Sequence, residues 1–285
     1  MPILKDIAQV LRLYEQGNTS LVAVMLGRRL GQFRVHVKGA RRWPKKGFEG
    51  GFDLLTRGEI LVYPKGRGNL WIFKEWDEHV RLPLGQSLSM LRACSYLCEL
   101  SAALTSETAG SQAEEDRVVK PAHRDGSSSS NDGSVPSIPR LYDLLTASAD
   151  ALVTDVPPGP VLLAFTLRAL ELEGLLPSLE TCMGCKDNVL RNMGPVWFTH
   201  EGLRCKKCHA SEKNNVQARG ILFPPDALKA INHVRKTARP VGLSADGAER
   251  LAQAMVLLVQ GALERDLQTL HEAAWIVRWM GRKIF

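Results

Sequence analysis

One stretch, Gly27-Arg-Arg-Leu-Gly-Gln-Phe-Arg-Val-His-Val-Lys38, decides the fold of the first part of the chain. Within it Phe33, Val35 and Val37 alternate with polar residues, which is the period of a strand with one face in a core and the other in solvent. Gly27 and Gly31 can adopt the positive φ that a tight turn needs. The stretch therefore predicts a turn that leads into a strand with a basic outer face.

Similar short apolar runs lie on both sides of this strand. Together they predict five strands: Ile7 to Tyr14, Ser20 to Leu26, Gln32 to Lys38, a run within Phe52 to Tyr63, and Leu70 to Trp76. Five short strands in about 70 residues are typical of a small closed barrel. We predict an OB-type barrel over residues 1–80, acting as a nucleic-acid-binding domain.

After residue 81 the apolar period changes to that of helices. Apolar residues recur at steps of three and four from Leu84 to Leu104, and this stripe includes Cys94 and Cys98 as core residues. Further helices are predicted at Arg140 to Val153, Pro160 to Leu176 and Asp226 to Arg239, and a last one runs from the N-cap Ser244 toward Trp279. The fold class is thus α+β, with an N-terminal five-stranded barrel followed by an all-helical domain over residues 81–285.

One segment of this second domain has no residues with which to build a core. Residues 105–139 are rich in Ser, Gly, Asp, Glu and Pro and almost lack apolar side chains. Such a composition cannot bury enough apolar surface to offset the entropy of ordering. We predict a disordered insertion there.

Four of the six cysteines form two Cys-x-x-Cys pairs, within a predicted zinc knuckle over residues 181–210. Cys182 and Cys185 are followed after 19 residues by Cys205 and Cys208, which is the spacing of a zinc ribbon. Each pair can bring two thiolates to one ion, and Zn²⁺ accepts four sulfurs tetrahedrally. Four sulfur ligands leave no position for water, so a structural zinc is predicted rather than a catalytic one.

Other interpretations of these cysteines remain open. The same residues could form two redox-active pairs or be buried free thiols. A redox motif, however, needs one Cys-x-x-Cys pair in a strand-to-helix setting and not a second pair at ribbon spacing. His200 or His209 could replace one cysteine as a ligand. Nearby cations, Lys186, Arg204, Lys206 and Lys207, would help to keep the thiolates deprotonated.

The positive charge of the chain is concentrated at its beginning. Residues 1–80 carry 14 basic and 8 acidic side chains, whereas residues 81–285 carry 23 and 22. Eight cations and no acid lie between residues 28 and 46: Arg28, Arg29, Arg34, Lys38, Arg41, Arg42, Lys45 and Lys46. Such a surface attracts a phosphate backbone, so we predict that these eight residues bind DNA, the alternative being a merely solvated face.

Aromatic residues lie in or near the same strands. Bases can stack on exposed rings, as they do in barrels that hold single strands. Phe33, Trp71 and Phe73 are nevertheless expected to fill the barrel core, and Trp43 is the ring expected to be exposed.

Composition and missing motifs exclude several classes. The chain of 285 residues, 45% hydrophobic and 24% charged, is neither collagen-like nor wholly disordered. Its longest uncharged runs, of 12 and 13 residues, are too short to span a membrane, and it begins without an apolar export signal. Phosphate-binding loops, dinucleotide fingerprints and hydrolase motifs are missing. We expect a cytoplasmic, nucleoid-associated protein without a nucleotide cofactor, and not an enzyme.

Several motifs in order resemble a known family. A barrel with Lys38-Gly-Ala-Arg-Arg42 after its third strand, a helix with Tyr96-Leu-Cys-Glu-Leu100, and Phe165-Thr-Leu-Arg168 through Gly174-Leu-Leu-Pro177 leading into Cys182 are together similar to the bacterial recombination mediator family RecO. The similarity covers about residues 1–104 and 140–210. The insertion departs from the family, and the C-terminal region cannot be matched residue by residue.

The resemblance implies a function and a set of partners. RecO proteins bind single- and double-stranded DNA, anneal complementary strands without ATP, and work with RecR to load RecA on strands coated by single-strand binding protein. Lys38, Arg41 and Arg42 lie where the family's barrel contacts DNA. The family also recognises the acidic, apolar tail of the single-strand binding protein through its helical domain, where Arg168 is a candidate contact.

Three rival functions share parts of this pattern. Barrels and zinc ribbons recur in RNA-binding proteins of the translation machinery. A zinc-dependent nuclease is opposed by ligation through cysteine alone and by the lack of a carboxylate cluster. A pure scaffold with an incidental charge patch would have no affinity for nucleic acid at moderate salt.

Overall fold

The computed structural model describes residues 3–40, 51–64, 70–105, 137–154, 156–192, 194–211, 220–278 and 280. The chain divides into two compact units: residues 1–81 with 101–143, and residues 82–100 with 144–285. Most of the insertion predicted to be disordered, residues 106–136, lies outside the described residues. So do Arg41, Arg42, Lys45 and Lys46.

The first unit contains the predicted five-stranded barrel. Its strands are β1 (Leu4–Gln16), β2 (Ser20–Gly27), β3 (Gly31–Val37), β4 (Arg57–Tyr63) and β5 (Leu70–Val80). The barrel is closed in the order β1-β2-β3-β5-β4, with β4 pairing back onto β1. All pairs are antiparallel except β3 with β5, which is parallel. The OB-type barrel is thereby confirmed.

The aromatic side chains that the sequence predicts for the barrel core pack within it or against it. Phe33 stacks on Trp71 with ring centroids 4.7 Å apart, and Phe52 packs edge-on against Phe73 at 5.6 Å. Trp76 is also buried in this cluster. Stacked and edge-on pairs of this kind stabilise a core beyond the area they bury. Phe33 is thus confirmed as a core residue, whereas Trp71 and Phe73 are half-buried and pack against the core, and Trp43 lies outside the described residues.

The helices follow in chain order after a short 3₁₀ turn at Leu84–Gln86. They are α1 (Leu88–Thr105), α2 (Ser137–Leu152), α3 (Pro158–Leu172), α4 (Val189–Asn192), α5 (Lys206–Ser211), α6 (Pro225–Thr237), α7 (Ala245–Leu263) and α8 (Leu270–Arg278). Helix α3 is buried along most of its length and contacts α6, α7 and α8. This explains its long uncharged run, because a helix covered on all sides has no polar face.

Two predicted helices end earlier than expected. Helix α3 stops at Leu172 rather than at 176 because Gly174 takes a positive φ of 71°, which terminates helices. The long helix predicted from Ser244 is divided, and its continuation toward Trp279 is wrong. Glu264 adopts the left-handed conformation at φ 50°, so α7 ends at Leu263 and α8 starts anew at Leu270.

A small sheet, which the sequence did not predict, lies at the cysteine cluster. Its strands β6 (Val196–Thr199), β7 (Gly202–Cys205) and β8 (Ile221–Phe223) are antiparallel, with β6 in the centre. The inward side chains Phe198 and Phe223 pack together with ring centroids 5.2 Å apart. The sheet thus gives the cysteine-bearing loops a rigid base. Among the described helices, none combines the length and the apolar character that crossing a membrane requires.

Candidate nucleic-acid interface and metal centre

The turn between β2 and β3 is organised by one buried carboxylate, Asp6 of β1. Its Oδ2 accepts hydrogen bonds from the backbone amides of Arg29 and Leu30, each at 2.9 Å. Gly31 takes a φ of 68°, as predicted for this turn. A Cβ at Gly27 would lie 2.5 Å from Asp6 Oδ2, so only glycine leaves room for the carboxylate. Asp6 therefore fixes the turn that carries Arg28 and Arg29.

Both arginines of this turn have carboxylate partners. Arg28 forms two hydrogen bonds of 2.9 Å with the carboxylate of Asp143 on α2, an arrangement that also raises the pKa of the guanidinium. Arg29 donates to the carbonyl of Lys5 at 2.6 Å, and its Nε lies 3.5 Å from Asp6. Each positive charge at this end of the barrel is therefore balanced by a negative one.

The remaining described cations of the basic stretch differ from this pair. Arg34 and Lys38 are exposed, and within the described part of the chain the side chain of neither forms an ion pair or a hydrogen bond. Arg34 lies in the middle of β3, and Lys38 follows its far end. With a strand rise of about 3.3 Å per residue, Lys38 lies roughly 20 Å from the turn. Among the four described cations of the stretch, the two in the turn are thus paired with carboxylates, and Arg34 and Lys38 are not.

Strand pairing places further polar and aromatic side chains beside Arg34, and the sequence analysis missed them. Tyr14 of β1, Val22 of β2, His36 of β3 and Ile72 of β5 are successive partners across the sheet. Tyr14 is 46% exposed, and its hydroxyl accepts a hydrogen bond of 3.0 Å from Arg12. The alternating pattern of each strand could have identified these residues as outward-facing. Only the strand register shows that they lie in one row.

The four predicted cysteine ligands come together in the second unit. Their sulfur atoms all lie within 4.8 Å of one another, and the Sγ atoms of Cys185 and Cys205 are 3.8 Å apart. Four sulfurs at about 2.3 Å from a tetrahedral zinc would be roughly 3.8 Å from each other. The cluster therefore fits a metal ion of this kind. In the described residues, neither His200 nor His209 belongs to it, and His209 instead stacks on Trp197 at 4.4 Å.

The local backbone is shaped for this cluster. The amide of Met183 donates to the carbonyl of Leu203 at 2.8 Å, which joins the first knuckle to β7. The amide of Cys205 points at the sulfur of Cys182 at 3.3 Å. A Cβ at Gly184 would lie 2.8 Å from Cys208 Sγ, so any larger residue would push the two knuckles apart.

The thiols cannot all ionise without a cation. Burial opposes ionisation of Cys182, but hydrogen bonds from the amides of Cys185, Cys205 and Gly184 outweigh burial and lower its pKa to about 6. Hydrogen bonding with the neighbouring thiols of Cys205 and Cys182 raises the pKa of Cys208 to about 12. One thiolate therefore forms readily, whereas four adjacent thiolates need a metal ion to balance their charge.

The two helical motifs found in the sequence contact each other. The buried hydroxyls of Tyr96 on α1 and Thr166 on α3 are 2.8 Å apart and hydrogen-bonded. Glu99 accepts hydrogen bonds from the amides of Gln268 and Thr269, at 3.0 and 2.8 Å, just before α8 begins. These motif residues therefore hold the helices together.

Arg168 also has a structural contact. Its guanidinium donates to the carbonyls of Arg235 and Lys236, at 2.6 and 2.7 Å, near the C-terminal end of α6. Backbone carbonyls at a helix end lack intrahelical donors, so this contact satisfies two of them. The prediction that Arg168 binds a partner is not tested by this geometry.

Comparison with known proteins gives consistent likenesses. The family model described as "Recombination protein O C terminal" matches residues 137–235. The chain is similar to proteins named "DNA repair protein RecO" from several bacteria. It is 28% identical to that of Desulfatibacillum aliphaticivorans over 83% of this chain and 79% of the relative. The identity is 25% for that of Symbiobacterium thermophilum, over 91% and 92%. It is 26% for that of Rhodopirellula baltica, over 80% and 73%.

Proposed function

We propose, on the premise of its similarity to the RecO family, that this chain is a DNA-binding recombination mediator of DNA repair. It binds single- and double-stranded DNA and anneals complementary strands without ATP. With RecR it loads RecA on strands coated by single-strand binding protein, whose acidic tail it recognises, with Arg168 as a candidate contact. It acts in the cytoplasm at the nucleoid and is not an enzyme.

The observation that carries this proposal is that two cations, one on β3 and one directly after it, lack a carboxylate partner among the described residues. Arg34 and Lys38 are exposed without a carboxylate partner among the described residues, and four more cations follow within the next eight positions of the sequence. Cations without intramolecular partners can replace the counterions condensed on a phosphate backbone. We propose that Arg34, Lys38, Arg41, Arg42, Lys45 and Lys46 provide the main DNA contacts, and that Arg28 and Arg29 contribute less.

The annealing mechanism follows from this charge. Two complementary strands repel each other through their phosphates, and a cationic surface lowers that repulsion by releasing counterions. Contacts to phosphate carry no sequence information, so the base edges remain free to pair. The free energy comes from counterion release and base pairing, and ATP is not needed.

The metal in this proposal is a structural zinc. Cys182, Cys185, Cys205 and Cys208 would hold it, and when bound it would cross-link the two knuckles without supplying reaction chemistry. Elemental analysis of the purified protein should find one zinc per chain. A protein that stays metal-free after preparation in zinc-containing buffer would contradict the assignment.

The DNA-binding surface is tested by the salt dependence of binding to a fluorescent single strand. Six phosphate contacts should give a slope of log affinity against log salt of about −4, at about −0.7 per contact. Arg34→Gln with Lys38→Gln should make the slope shallower by about 1.4 and weaken binding to all sequences alike. Arg28→Gln is the matched control, because that guanidinium is already neutralised by Asp143. Equal slopes for the double variant and the native protein would show that Arg34 and Lys38 do not contact the phosphates.

The mediator function is tested by annealing. The protein should anneal complementary strands coated with single-strand binding protein in the absence of ATP. An RNA-binding protein of the translation machinery would instead prefer an RNA strand to a DNA strand of the same sequence. Failure to anneal coated strands, or cleavage of DNA with zinc or magnesium, would overturn the proposal.

A further inference from the structure

We infer that the row formed by Tyr14, His36 and Ile72 on the outer face of the barrel is a stacking platform for unpaired DNA bases. This inference rests on the proposed function, because it concerns the same barrel surface. It goes further by predicting that this surface prefers single strands and by assigning that preference to particular side chains. Cations attract both strand forms, whereas base faces are accessible only where strands are unpaired.

The row is fixed by the register of the barrel. Tyr14 pairs with Val22, Val22 with His36, and His36 with Ile72. Directly opposite residues in a sheet point to the same face, and neighbouring strands are about 4.8 Å apart. Four side chains on four adjacent strands therefore form a continuous strip about 14 Å long.

The strip is exposed to solvent, and a hydrogen bond fixes the orientation of the Tyr14 ring. Tyr14 is 46% and Ile72 38% exposed, whereas Phe33 and Trp76 are buried in the barrel core. The guanidinium of Arg12 donates to the Tyr14 hydroxyl at 3.0 Å and lies 6.0 Å from the ring centroid. A ring held by its hydroxyl loses little freedom when a base stacks on it.

Cations lie beside this strip in the arrangement that a nucleic-acid strand needs. Arg34 is two residues before His36 on β3, so these two side chains share the outer face, and the exposed Lys38 follows the last residue of the strand. Phosphates can thus contact the two cations while bases contact the apolar and aromatic groups between them. Stacking uses the faces of the bases and leaves their pairing edges open, which is compatible with annealing.

The experiment compares Tyr14→Ala and Tyr14→Phe with the native protein on three ligands. These are a single strand, a duplex of equal length, and an abasic single strand that has the same phosphates. Loss of a stacked base should weaken binding of Tyr14→Ala to the single strand about fivefold or more. Its binding to the duplex and to the abasic strand, and its salt slope, should remain native. Tyr14→Phe keeps the ring and should restore single-strand affinity.

A second pair of variants tests the contribution of the apolar residue Ile72 to the strip. Ile72→Ala should weaken single-strand binding, whereas Ile7→Ala is the matched control, because Ile7 is 45% exposed on β1 but lies in a different row. Circular dichroism confirms that each variant is folded. Equal affinity of native and Tyr14→Ala proteins for the single strand would overturn the stacking platform, and so would an equal loss on the abasic strand. If the native protein bound none of the three ligands, the proposed function itself would fail.

Discussion

Asp226 lies in the first turn of α6, where its carboxylate joins two helices. It accepts hydrogen bonds from the hydroxyl and the amide of Ser244, at 2.6 and 3.0 Å, and from the amide of Ala227 at 2.9 Å. Ser244 in turn caps α7 by accepting from the amide of Gly247 at 2.9 Å. Burial disfavours the charged form, but the bonds from Ser244 and Ala227 outweigh it and lower the pKa of Asp226 below its ordinary value.

Replacement of this carboxylate should destabilise the protein in a pH-dependent way. A lowered folded-state pKa means that the stabilisation is present above the ordinary pKa of an aspartate, near 3.9, and is lost as the pH falls through the folded value. Asp226→Asn should reduce the melting temperature at pH 7 by about 3 °C, for about 1 kcal/mol in a unit of this size. Thermal melts from pH 7 to pH 2 should show the gap between variant and native protein closing below about pH 4. A gap that stays constant down to pH 2 would show that the charge of Asp226 contributes nothing.

Single residues were predictable where their type alone limits their role. The cysteines and the inward aromatic residues belong to this class, because spacing and period are sufficient to place them. Asp6 was not predicted because a residue at an inward position of a strand is normally apolar. It lies at such a position on β1, between Leu4 and Ala8. Its partners, the amides of Arg29 and Leu30, are more than twenty residues away, and no local pattern indicates them.

At the scale of elements, the start of α8 depends on a side chain from another helix. The carboxylate of Glu99 on α1 accepts hydrogen bonds from the amides of Gln268 and Thr269. It also accepts one from the hydroxyl of Thr269 at 2.6 Å. These amides precede the first turn of α8 and need an acceptor, which an N-cap residue usually supplies locally. The sequence predicted one continuous helix through this region because the residues between α7 and α8 include no glycine or proline that would mark its end.

Glu99→Gln should loosen α8 without unfolding the rest. Glutamine has one acceptor oxygen in place of two, and its amide group faces donors, so we expect a loss of about 1–2 kcal/mol. Hydrogen exchange at the first turn of α8 should become about tenfold faster. Glu59→Gln is the control, because its ion pair with the exposed Lys5 at 2.7 Å lies in the barrel and contributes little. Unchanged exchange in Glu99→Gln would mean that α8 does not depend on this cap.

At the scale of the whole molecule, charge and metal ligands are divided between the two units. The cations proposed to contact DNA belong to the first unit, and the four cysteines belong to the second. The sequence already indicated this division through its charge distribution and its cysteine spacing. It did not indicate that Arg28 and Arg29 are neutralised, because Asp143 is 115 residues from Arg28 in the chain.

Removal of the metal should therefore affect stability and DNA binding differently. Structural zinc sites have apparent binding free energies of about 10 kcal/mol or more, and even a third of this corresponds to about 10 °C in melting temperature. Treatment with a strong chelator should lower the melting temperature by about 10 °C, and added zinc should restore it. The salt slope of DNA binding, measured at 20 °C on folded protein, should stay unchanged. A change of that slope on chelation would show that the metal-bearing unit contributes phosphate contacts.

The parallel pairing of β3 with β5 closes the barrel, and this has a consequence for crowded conditions. An open sheet offers its outermost strands to other chains, which can extend it into aggregates. If the proposed function is right, several copies of the chain bind close together along one DNA strand, where such extension of a sheet would be fast. Each of the five described barrel strands pairs with a neighbour on both sides. We therefore expect copies of the chain that are crowded on one DNA strand to separate again when the strand is released, rather than to join through their sheets.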